Sequence, residues 1–440
     1  MPEPVIDVHL LVPDPTGSNR ILVRDGGSTL PAIRPEILDG DTLVMAVARH
    51  LRTAWQLDPV ILETYLTPSD DADARPALAV LDPPVPRWEP RGGQAWAGAP
   101  EVLPPALGGR VRTWLAEWHT AAAPGVLRAR WSRPGWQARA VAWIDAELAV
   151  AERTRAAAVE VRRLWSISAL MRVPTDRGAA WFKAVFPSFG HEPAITELLA
   201  NAVPTVLPRV LATHAEEEWL LLDEVTGPQL GMSRDASAIT AAVRALVDVQ
   251  RRSIDLRSEL IALGAPHRPL AILSDELVRA MADSPDLGGP RVEPNRLADV
   301  AAWVRRRAAW LDGLGFPETV VHGDFNRANA LVAPVGPVII DWSDAAIGHP
   351  LLDMTAWMVH PGGGFGANDP SWPAWLKALD GLGDVNGLRN EIDSVFGLGA
   401  AYQVVSYAAI LRAVEPAIRY QVSGGLADFW ELLEERAAST

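Results

Sequence analysis

The chain has 440 residues, 49% of them hydrophobic, which is enough apolar material for two or three domains with their own cores. Its formal net charge of −14 argues against a nucleic-acid binder that depends on a basic surface. The absence of cysteine excludes disulfides, thiolate metal ligands and a cysteine nucleophile. Among 40 Lys and Arg residues only Lys183 and Lys377 are lysines, so at each of them we ask why arginine does not suffice.

Neither a targeting signal nor a membrane span is indicated. The N-terminal residues MPEPVIDVHLLVPDP lack the basic start and unbroken apolar stretch of a secretion signal. The longest apolar region, 396–411, contains Gln403 and Ser406 and is short for a membrane span, so it predicts a buried helix. We therefore expect a cytoplasmic protein that binds neither nucleic acid nor membrane, and no feature indicates a protein partner.

Residues 1–105 predict a small α/β domain. Apolar runs on either side of a Pro-Thr-Gly-Ser-Asn turn, within residues 5–24, are typical of a hairpin. Apolar residues at three- and four-residue spacing predict a helix over 41–56, and VILETYL and ALAVLD predict two further strands. A Pro/Gly-rich stretch then marks a domain edge near 105. Residues 106–154, rich in Ala, Arg and Trp at helical spacing, predict a helical connector.

The segment from Leu30 to Leu57 resembles the box of the Nudix family, with Gly40 and Arg49 in register. The resemblance implies a Nudix-like fold for about a quarter of the chain. However, the positions of the family's metal-binding glutamates hold other residues, and the closing glycine position holds Gln56. Mg²⁺ requires oxygen ligands such as carboxylates, so we expect no hydrolase activity from this domain. The residues at those three glutamate positions are His50, Thr53 and Ala54. An unrelated α/β cap is the alternative.

From residue 155 the pattern changes to short strands. VEVRRLWSIS, ALMRVPTD and AAWFKAVF predict three strands, HEPAITELLANAV a helix, and VPRVLATHAEEEWLLLDEV a hairpin that turns at 216–218. Together they predict an antiparallel sheet with one packed helix over residues 155–227.

Lys183 lies in the middle of the third of these strands. A mid-strand lysine often runs along the sheet surface with its ammonium in water. In a chain that otherwise uses arginine, however, Lys183 favours a point contact between a compact ammonium and phosphate oxygens. Such a lysine needs a carboxylate partner, and Glu192 and Glu197 on the next helix are the candidates. They lie on different helix faces, so at most one points inward.

The stretch from 318 to 353, ETVVHGDFNRANALVAPVGPVIIDWSDAAIGHPLLD, carries the strongest indication of chemistry. A short strand ends at His322-Gly323-Asp324, and two apolar strands, 330–332 and 338–340, precede Asp341. Asp324, Asn329 and Asp341 are thus delivered beside one small hairpin. One acid that orients a hydroxyl, together with two oxygen donors for Mg²⁺, is what phosphoryl transfer requires.

HGDFNRAN matches the HGD-x4-N catalytic loop of the aminoglycoside phosphotransferase and choline kinase family, and the Asp-Trp segment with its downstream Gly-x-Pro and Asp matches as well. The resemblance covers about residues 155–440. It implies an α+β, two-lobed fold like that of the protein kinases, with an antiparallel-sheet N-lobe (155–227) and a mainly helical C-lobe (228–440) that carries the catalytic loop. It further implies that Asp324 is the catalytic base and that Asn329 and Asp341 bind magnesium.

The resemblance also assigns residues to the nucleotide. Lys183 contacts the phosphates, Glu192 is the better match for its helix partner, and Glu197 is the reserve. The linker from Leu221 to Gly227, which includes Glu224, binds adenine through backbone groups.

Two features depart from the family or lie outside its motifs. The turn between the first two strands holds Ser166 and Ser168 in place of the glycines of a protein-kinase phosphate loop. These serines either approach the phosphates or form a solvated turn. The glycine run at 360–369 follows a helix, so we expect a flexible loop near the acceptor there. His322 is expected to brace the loop, and Asp353 to tie down the loop after Asp341.

The resemblance implies an ATP- and Mg²⁺-dependent kinase that phosphorylates a hydroxyl of a small molecule. The acceptor stays open among aminoglycosides, amino sugars, sugars and amino alcohols. The alternative is a non-catalytic nucleotide-binding pseudokinase with a regulatory role. An active pyrophosphohydrolase is disfavoured by the missing glutamates. The retention of Lys183, Asp324, Asn329 and Asp341 favours the enzyme, because pseudokinases usually lose at least one of these four.

Overall fold

The structure is a computed structural model. It describes residues 6–17, 19–67, 76–84, 88–100, 105–118, 128–231, 233, 235–359 and 371–439. The chain divides into two compact units, residues 1–177 with 182–184, and residues 178–181 with 185–440. The division passes through a single strand, Gly178–Val185.

In its described residues, the first unit contains short strands and three α-helices. In chain order they are β1 (Val8–Leu11), β2 (Ile21–Val23), β3 (Ala32–Ile33), α1 (Leu43–Ala54), β4 (Ile61–Leu66), β5 (Ala77–Leu81), β6 (Ala95–Ala97), α2 (Pro105–Glu117), α3 (Trp136–Val150), β7 (Glu160–Leu164) and β8 (Ser168–Thr175).

A four-stranded sheet in the order β3-β1-β5-β4 forms the centre of this unit. Strand β1 runs parallel to β5 and antiparallel to β3, while β2 pairs antiparallel with β6. The predicted hairpin is present only as a short turn, in which Leu22 donates to the Val12 carbonyl and Asp14 to that of Arg20. Strand β1 itself pairs elsewhere because its apolar residues are buried in the core of the sheet.

Helix α1 confirms the prediction from apolar spacing. Val44, Val47 and Leu51 are buried and belong to one core cluster with residues of the sheet, so the apolar stripe supplies the packing that stabilises the helix. The helix stops where Gln56 adopts a positive φ of 50°.

Helix α2 packs on the strands of the first unit. Leu107, Val111 and Trp114 are buried in a second core cluster with residues of β1, β2, β4 and β5. Arg110 forms two hydrogen bonds, of 2.8 and 2.7 Å, with the Glu63 carboxylate of β4, and both side chains are buried. The apolar face of the helix is therefore buried against these strands, and the role of 106–154 as a connector stays a prediction. The Nudix-like resemblance of residues 1–105 stays a prediction, as do the boundaries at 154 and 227.

The strand β9 (Gly178–Val185) is shared between the units, and the second unit is mainly helical. It continues with α4 (Glu192–Ala202), β10 (Val210–His214), β11 (Trp219–Asp223), α5 (Ala236–Ala262), α6 (Leu270–Asp283), α7 (Pro294–Asp312), β12 (Thr319–Val321), β13 (Ala330–Ala333), β14 (Gly336–Ile339), β15 (Ala346–Gly348), α8 (Asp353–Val359), α9 (Ser371–Ala378), α10 (Val385–Leu388), α11 (Ile392–Ala413) and α12 (Gly424–Ser439).

The strands and helix predicted over 155–227 are confirmed in kind and order. Strands β7, β8 and β9 are followed by α4, β10 and β11. Strand β7 pairs antiparallel with β8, and β10 with β11, where Glu218 takes a positive φ of 58° in the predicted turn.

Helix α11 contains the apolar region predicted to be a buried helix, and the prediction is confirmed. Among the described residues, it is the one helix long and apolar enough to cross a membrane. Of its most apolar 18-residue window, 89% is buried inside the protein. Two small antiparallel pairs, β12 with β15 and β13 with β14, lie in the same unit and deliver the polar residues described next.

Candidate active site

The loop after β12 is fixed by backbone geometry. Strand β12 pairs with β15, and the Val320 amide donates to the Ser253 hydroxyl of α5 at 2.7 Å. Gly323 then takes a positive φ of 83°, and a Cβ there would lie 2.7 Å from the Cβ of Asp344 and against the Asp344 carbonyl oxygen. Only glycine therefore fits between the two chain segments that carry Asp324 and Asp344.

Asp353 holds this loop in place through hydrogen bonds to its carboxylate. Its carboxylate accepts hydrogen bonds from the amides of His322 (3.0 Å) and Gly323 (2.8 Å) and from Gln250 Nε2 (3.0 Å). Burial raises the pKa of Asp353 to about 7, although the three hydrogen bonds lower it. The expectation that Asp353 is structural holds, with one correction. It ties down the loop before Asp324 and not the one after Asp341, because both amides that reach it lie in the HGD turn.

His322 braces the same loop, as the sequence predicts. Its Nδ1 accepts from the Asp324 amide at 3.3 Å and its Nε2 lies 3.0 Å from the Ile340 carbonyl oxygen. A tautomer with the proton on Nε2 satisfies both contacts, and the ring packs 4.6 Å from Trp342 between centroids. His322 thereby links the Asp324 loop to the segment that carries Asp341.

Asp324 accepts hydrogen bonds from two amide side chains. Asn329 Nδ2 donates to its Oδ2 at 3.0 Å and to its main-chain carbonyl at 2.9 Å, and Asn326 Nδ2 donates to its Oδ1 at 3.0 Å. The Asn326 side-chain oxygen accepts from the Ala328 amide, which closes the one-turn helix of 327–329. Both carboxylate oxygens of Asp324 thus have a fixed orientation.

Two further carboxylates act on Asp324. Asp341 follows β14 with a positive φ of 67°, an unusual backbone conformation for a non-glycine residue, and its Oδ1 accepts from the Ser343 hydroxyl at 2.8 Å. Burial, and then the charges of Asp344 and Asp341, raise the pKa of Asp324 to about 7, against the hydrogen bonds from the two asparagines. The site is therefore a cluster of like charges that a bound cation would relieve.

Sequence reasoning missed Asp344 and two residues of α11. Gln403 Nε2 donates to the Gly323 carbonyl at 2.6 Å. Tyr407, one turn further along α11, has its pKa raised above the ordinary value by burial and by the charges of Asp324, Asp344 and Asp428. Asp344 could have been noticed from its position three residues after Asp341. No local motif marks Gln403 or Tyr407, which lie about 80 residues downstream.

The predicted nucleotide residues are distributed between the two units. Lys183, buried in β9, and Ser166, buried before β8, belong to the first unit, as does Ser168 at the start of β8. In the second unit Glu192 is buried in the first turn of α4, whereas Glu197 is exposed and accepts from Thr213 at 3.4 Å.

The burial of Glu192 and the exposure of Glu197 confirm that only one of the two glutamates points inward. The linker follows β11, and there the Glu224 amide donates to the Ala179 carbonyl at 3.1 Å. The glycine run at 360–369 lies outside the described residues. The roles assigned to these residues stay predictions.

The donor set suits magnesium held partly by phosphates. In the described part of the chain, no group of three or more His, Asp or Glu side chains is arranged to hold a metal by itself. Mg²⁺ commonly takes only one or two protein ligands and completes its octahedron with water and substrate phosphates. Asn329 uses its amide nitrogen on Asp324, so its carbonyl oxygen is oriented away from that bond and fits such a ligand, as does the carboxylate of Asp341.

Comparison with known proteins agrees with the motif. Residues 182–380 match the family model described as APH, phosphotransferase enzyme family. The family recognised from the HGD-x4-N loop is thereby confirmed for this segment, and with it the α+β, kinase-like fold class. No curated protein has a significant sequence match to the chain.

Three solved structures illustrate the similarity. A GDP complex of aminoglycoside 2'-phosphotransferase IIIa is 15% identical with a TM-score of 0.44, covering 68% of this chain and 98% of that one. A choline/ethanolamine kinase family protein from Mesorhizobium loti is 16% identical with a TM-score of 0.47, covering 68% and 98%. The choline kinase LicA from Streptococcus pneumoniae is 13% identical with a TM-score of 0.46, covering 69% and 100%.

Proposed function

Residues 182–380 belong to the phosphotransferase enzyme family, and we propose that the protein transfers the γ-phosphoryl group of ATP to a hydroxyl of a small molecule, in a reaction that requires Mg²⁺. The observation that carries the proposal is the hydrogen-bonded pair Asp324–Asn329 beside Asp341, because it combines a hydroxyl-orienting acid with two oxygen donors for the metal.

The chain's own residues do the positioning in this proposal. Asp324, held by Asn326 and Asn329, accepts a hydrogen bond from the acceptor hydroxyl and takes its proton as the new P–O bond forms. The bond between the γ-phosphorus and the β–γ bridging oxygen breaks in the same step, and ADP leaves. Lys183 and Glu192 keep in this proposal the nucleotide-binding roles that the resemblance to the family implies. Asn329 and Asp341 would hold Mg²⁺, which would supply neutralisation of charge on the phosphates. Most of the rate enhancement then comes from orientation and charge neutralisation.

The environment of Asp324 favours an acceptor that carries a cation. The charges of Asp324, Asp344 and Asp428 all act on Tyr407, and the chain has a net charge of −14. Among the open acceptor classes, this proposal favours an amino sugar, an aminoglycoside or an amino alcohol over a neutral sugar, because an ammonium group would reduce the repulsion among these acids. The protein would act in the cytoplasm, where ATP is available.

The test is turnover of Mg-ATP against a panel of hydroxylated amines and matched neutral sugars, with Asp324→Ala as the control. We expect phosphorylation of at least one amine by the wild type and a loss of about 10²- to 10⁴-fold in kcat for Asp324→Ala. If Mg-ATP raises the melting temperature but no acceptor is phosphorylated, the alternative of a non-catalytic nucleotide-binding protein is favoured. Turnover at the wild-type rate by Asp324→Ala would refute the assignment of the base.

A further inference from the structure

A pocket lies at the C-terminal end of α1 in the first compact unit. It has a volume of about 440 Å³. Its walls come from the residues after β2 and β3, from the last turn of α1 and from the segment before β6. The side chains that matter to the argument below are Arg24, Arg34, His50, Trp55, Trp88 and Arg91.

The pocket is basic in an acidic protein. Three arginines and one histidine line it, and no carboxylate does so among the residues that the structure describes. Arg34 is paired with Asp7, which accepts two hydrogen bonds from it at 2.6 and 3.3 Å and is itself about half exposed. The described lining therefore carries three guanidinium groups and no carboxylate, although the whole chain has a net charge of −14.

Two tryptophans give the pocket an aromatic wall. Trp55 and Trp88 stack with centroids 6.2 Å apart and planes 15° apart, and Trp88 Nε1 donates to the Trp55 carbonyl at 3.2 Å. Trp96 meets Trp88 edge-on at 6.1 Å and holds it from another side. Trp88 is buried while Trp55 is only half-buried, so a part of the Trp55 indole remains for a ligand.

The backbone around the pocket is fixed as well. In the turn before β6 the Arg91 amide donates to Gln94 Oε1, and the Gln94 amide donates back to the Arg91 carbonyl, both at 3.1 Å. Gly92 and Gly93 take positive φ values of 55° and 81° in this turn. After β2, the Arg24 amide donates a hydrogen bond to the Thr29 carbonyl at 2.9 Å. The side chains of Arg24 and Arg91 thus extend from hydrogen-bonded turns.

We propose that this pocket binds a small organic phosphate that carries a planar ring. Guanidinium groups match the oxygens of a phosphate with paired hydrogen bonds, and three of them favour a multiply charged anion over a single carboxylate. Indole surface favours a flat ring beside that anion. The proposal does not depend on the phosphotransferase function, since every residue named for it lies in the first unit and none belongs to the HGD loop.

The experiment is calorimetric titration of the full-length protein with 1-naphthyl phosphate, and separately with inorganic phosphate and with 1-naphthol. The variants are Arg24→Gln and Arg91→Gln, each checked for an unchanged melting temperature. Arg139→Gln, an exposed arginine on α3, is the matched control. Lys183→Gln is included to show that the probe does not occupy the phosphotransfer site, because it removes the cation proposed to hold the nucleotide phosphates.

We expect one bound 1-naphthyl phosphate per chain, with inorganic phosphate and 1-naphthol each at least about tenfold weaker. Each pocket variant should weaken binding about tenfold, because a charge-assisted hydrogen bond is lost. Arg139→Gln and Lys183→Gln should bind as the wild type does.

Absence of binding, or unchanged affinity in both pocket variants, overturns the proposal. Equal affinity for inorganic phosphate overturns the ring requirement. Loss of binding in Lys183→Gln alone places the probe at the other site and overturns the proposal while leaving the proposed function intact.

Discussion

Asn329 donates two hydrogen bonds to Asp324 from one amide group, at 2.9 Å to the main-chain carbonyl and at 3.0 Å to the carboxylate Oδ2. Both bonds use the nitrogen, so the side-chain oxygen of Asn329 is left for another partner. In the proposed reaction, this one residue would both orient the base and supply a metal ligand, whereas Asn326 also donates to Asp324 but uses its oxygen on the Ala328 amide.

This difference between the two asparagines predicts different kinetic effects. We expect both Asn329→Ala and Asn326→Ala to lower kcat, since each removes a hydrogen bond that orients Asp324. Only Asn329→Ala should also raise the Mg²⁺ concentration needed for half-maximal rate, by about tenfold or more, because a ligand oxygen is lost. Initial rates measured against Mg²⁺ at saturating ATP test this. An equal Mg²⁺ requirement in the two variants would contradict the metal role of Asn329.

Lys183→Arg tests whether the lysine at this position has a function that arginine, the usual cation of this chain, cannot perform. Lys183 is buried in β9, and the wider guanidinium fork neither fits the space of an ammonium nor makes the same point contact to phosphate. We expect kcat/KM for ATP to fall by about tenfold or more although the charge is kept. Lys377→Arg, at the exposed end of α9, is the matched control and should behave as the wild type. Normal kinetics in Lys183→Arg would show that arginine suffices there.

The candidate site was predictable from sequence where its residues are close in the chain. The spacing from Asp324 to Asn329 fixes a one-turn helix, and Asp341 follows an apolar strand, so both signals are local. Gln403 and Tyr407 lie on α11, where they belong to a continuous apolar pattern that indicates burial and no chemistry. Their relation to Asp324 depends on how α11 packs in the second unit, which no local pattern encodes.

Helix α2 shows the same limit in the fold. Its apolar spacing predicts a helix, but whether an amphipathic helix links two domains or covers a sheet depends on which apolar surface is available. The buried pair of Glu63 and Arg110 joins residues 47 positions apart in the chain, a separation at which a sequence pattern gives no pairing.

Asp353 predicts a pH dependence of stability. Its pKa is raised to about 7 by burial, so in the folded state it keeps a proton that the unfolded chain has already released above pH 4. The unfolded state then binds fewer protons, and stability from this group falls as pH rises from about 4 to about 7, by at most about 1.4 kcal/mol per pH unit.

Asp353→Asn removes this titration while it keeps an oxygen acceptor for one loop amide. We expect the variant to be less stable than the wild type at pH 5, and the difference to shrink steadily towards pH 8. Urea unfolding midpoints at one-unit pH intervals measure this, and all other titrations cancel in the difference. A constant difference across the range would contradict the raised pKa.

Tyr407→Phe tests the acceptor side of the site. The ring packs 5.7 Å from Phe429 between centroids, and phenylalanine keeps that contact while it removes the hydroxyl. We expect the KM for the acceptor to rise by about three- to tenfold, the effect of one lost hydrogen bond, with the KM for ATP unchanged. If both KM values change together, Tyr407 supports the fold of the site and does not contact the acceptor.

Because Gly323 lies so close to Asp344, we expect a side chain at this position to lower the free energy of unfolding by more than the backbone conformation alone would. Gly323 and Gly381 have nearly the same φ, 83° and 80°, but only Gly323 has neighbours that an added Cβ would meet. We expect Gly381→Ala to cost about 1 kcal/mol in the free energy of unfolding, which is the usual penalty for a left-handed alanine. Gly323→Ala should cost clearly more, because the Cβ meets Asp344 across a loop that Asp353 holds in place. It should also lower kcat, since Asp324 is the next residue and would be displaced with the loop. Urea unfolding and turnover measured on both variants test this. Equal destabilisation of the two variants, with full activity of Gly323→Ala, would show that the loop accommodates the added Cβ.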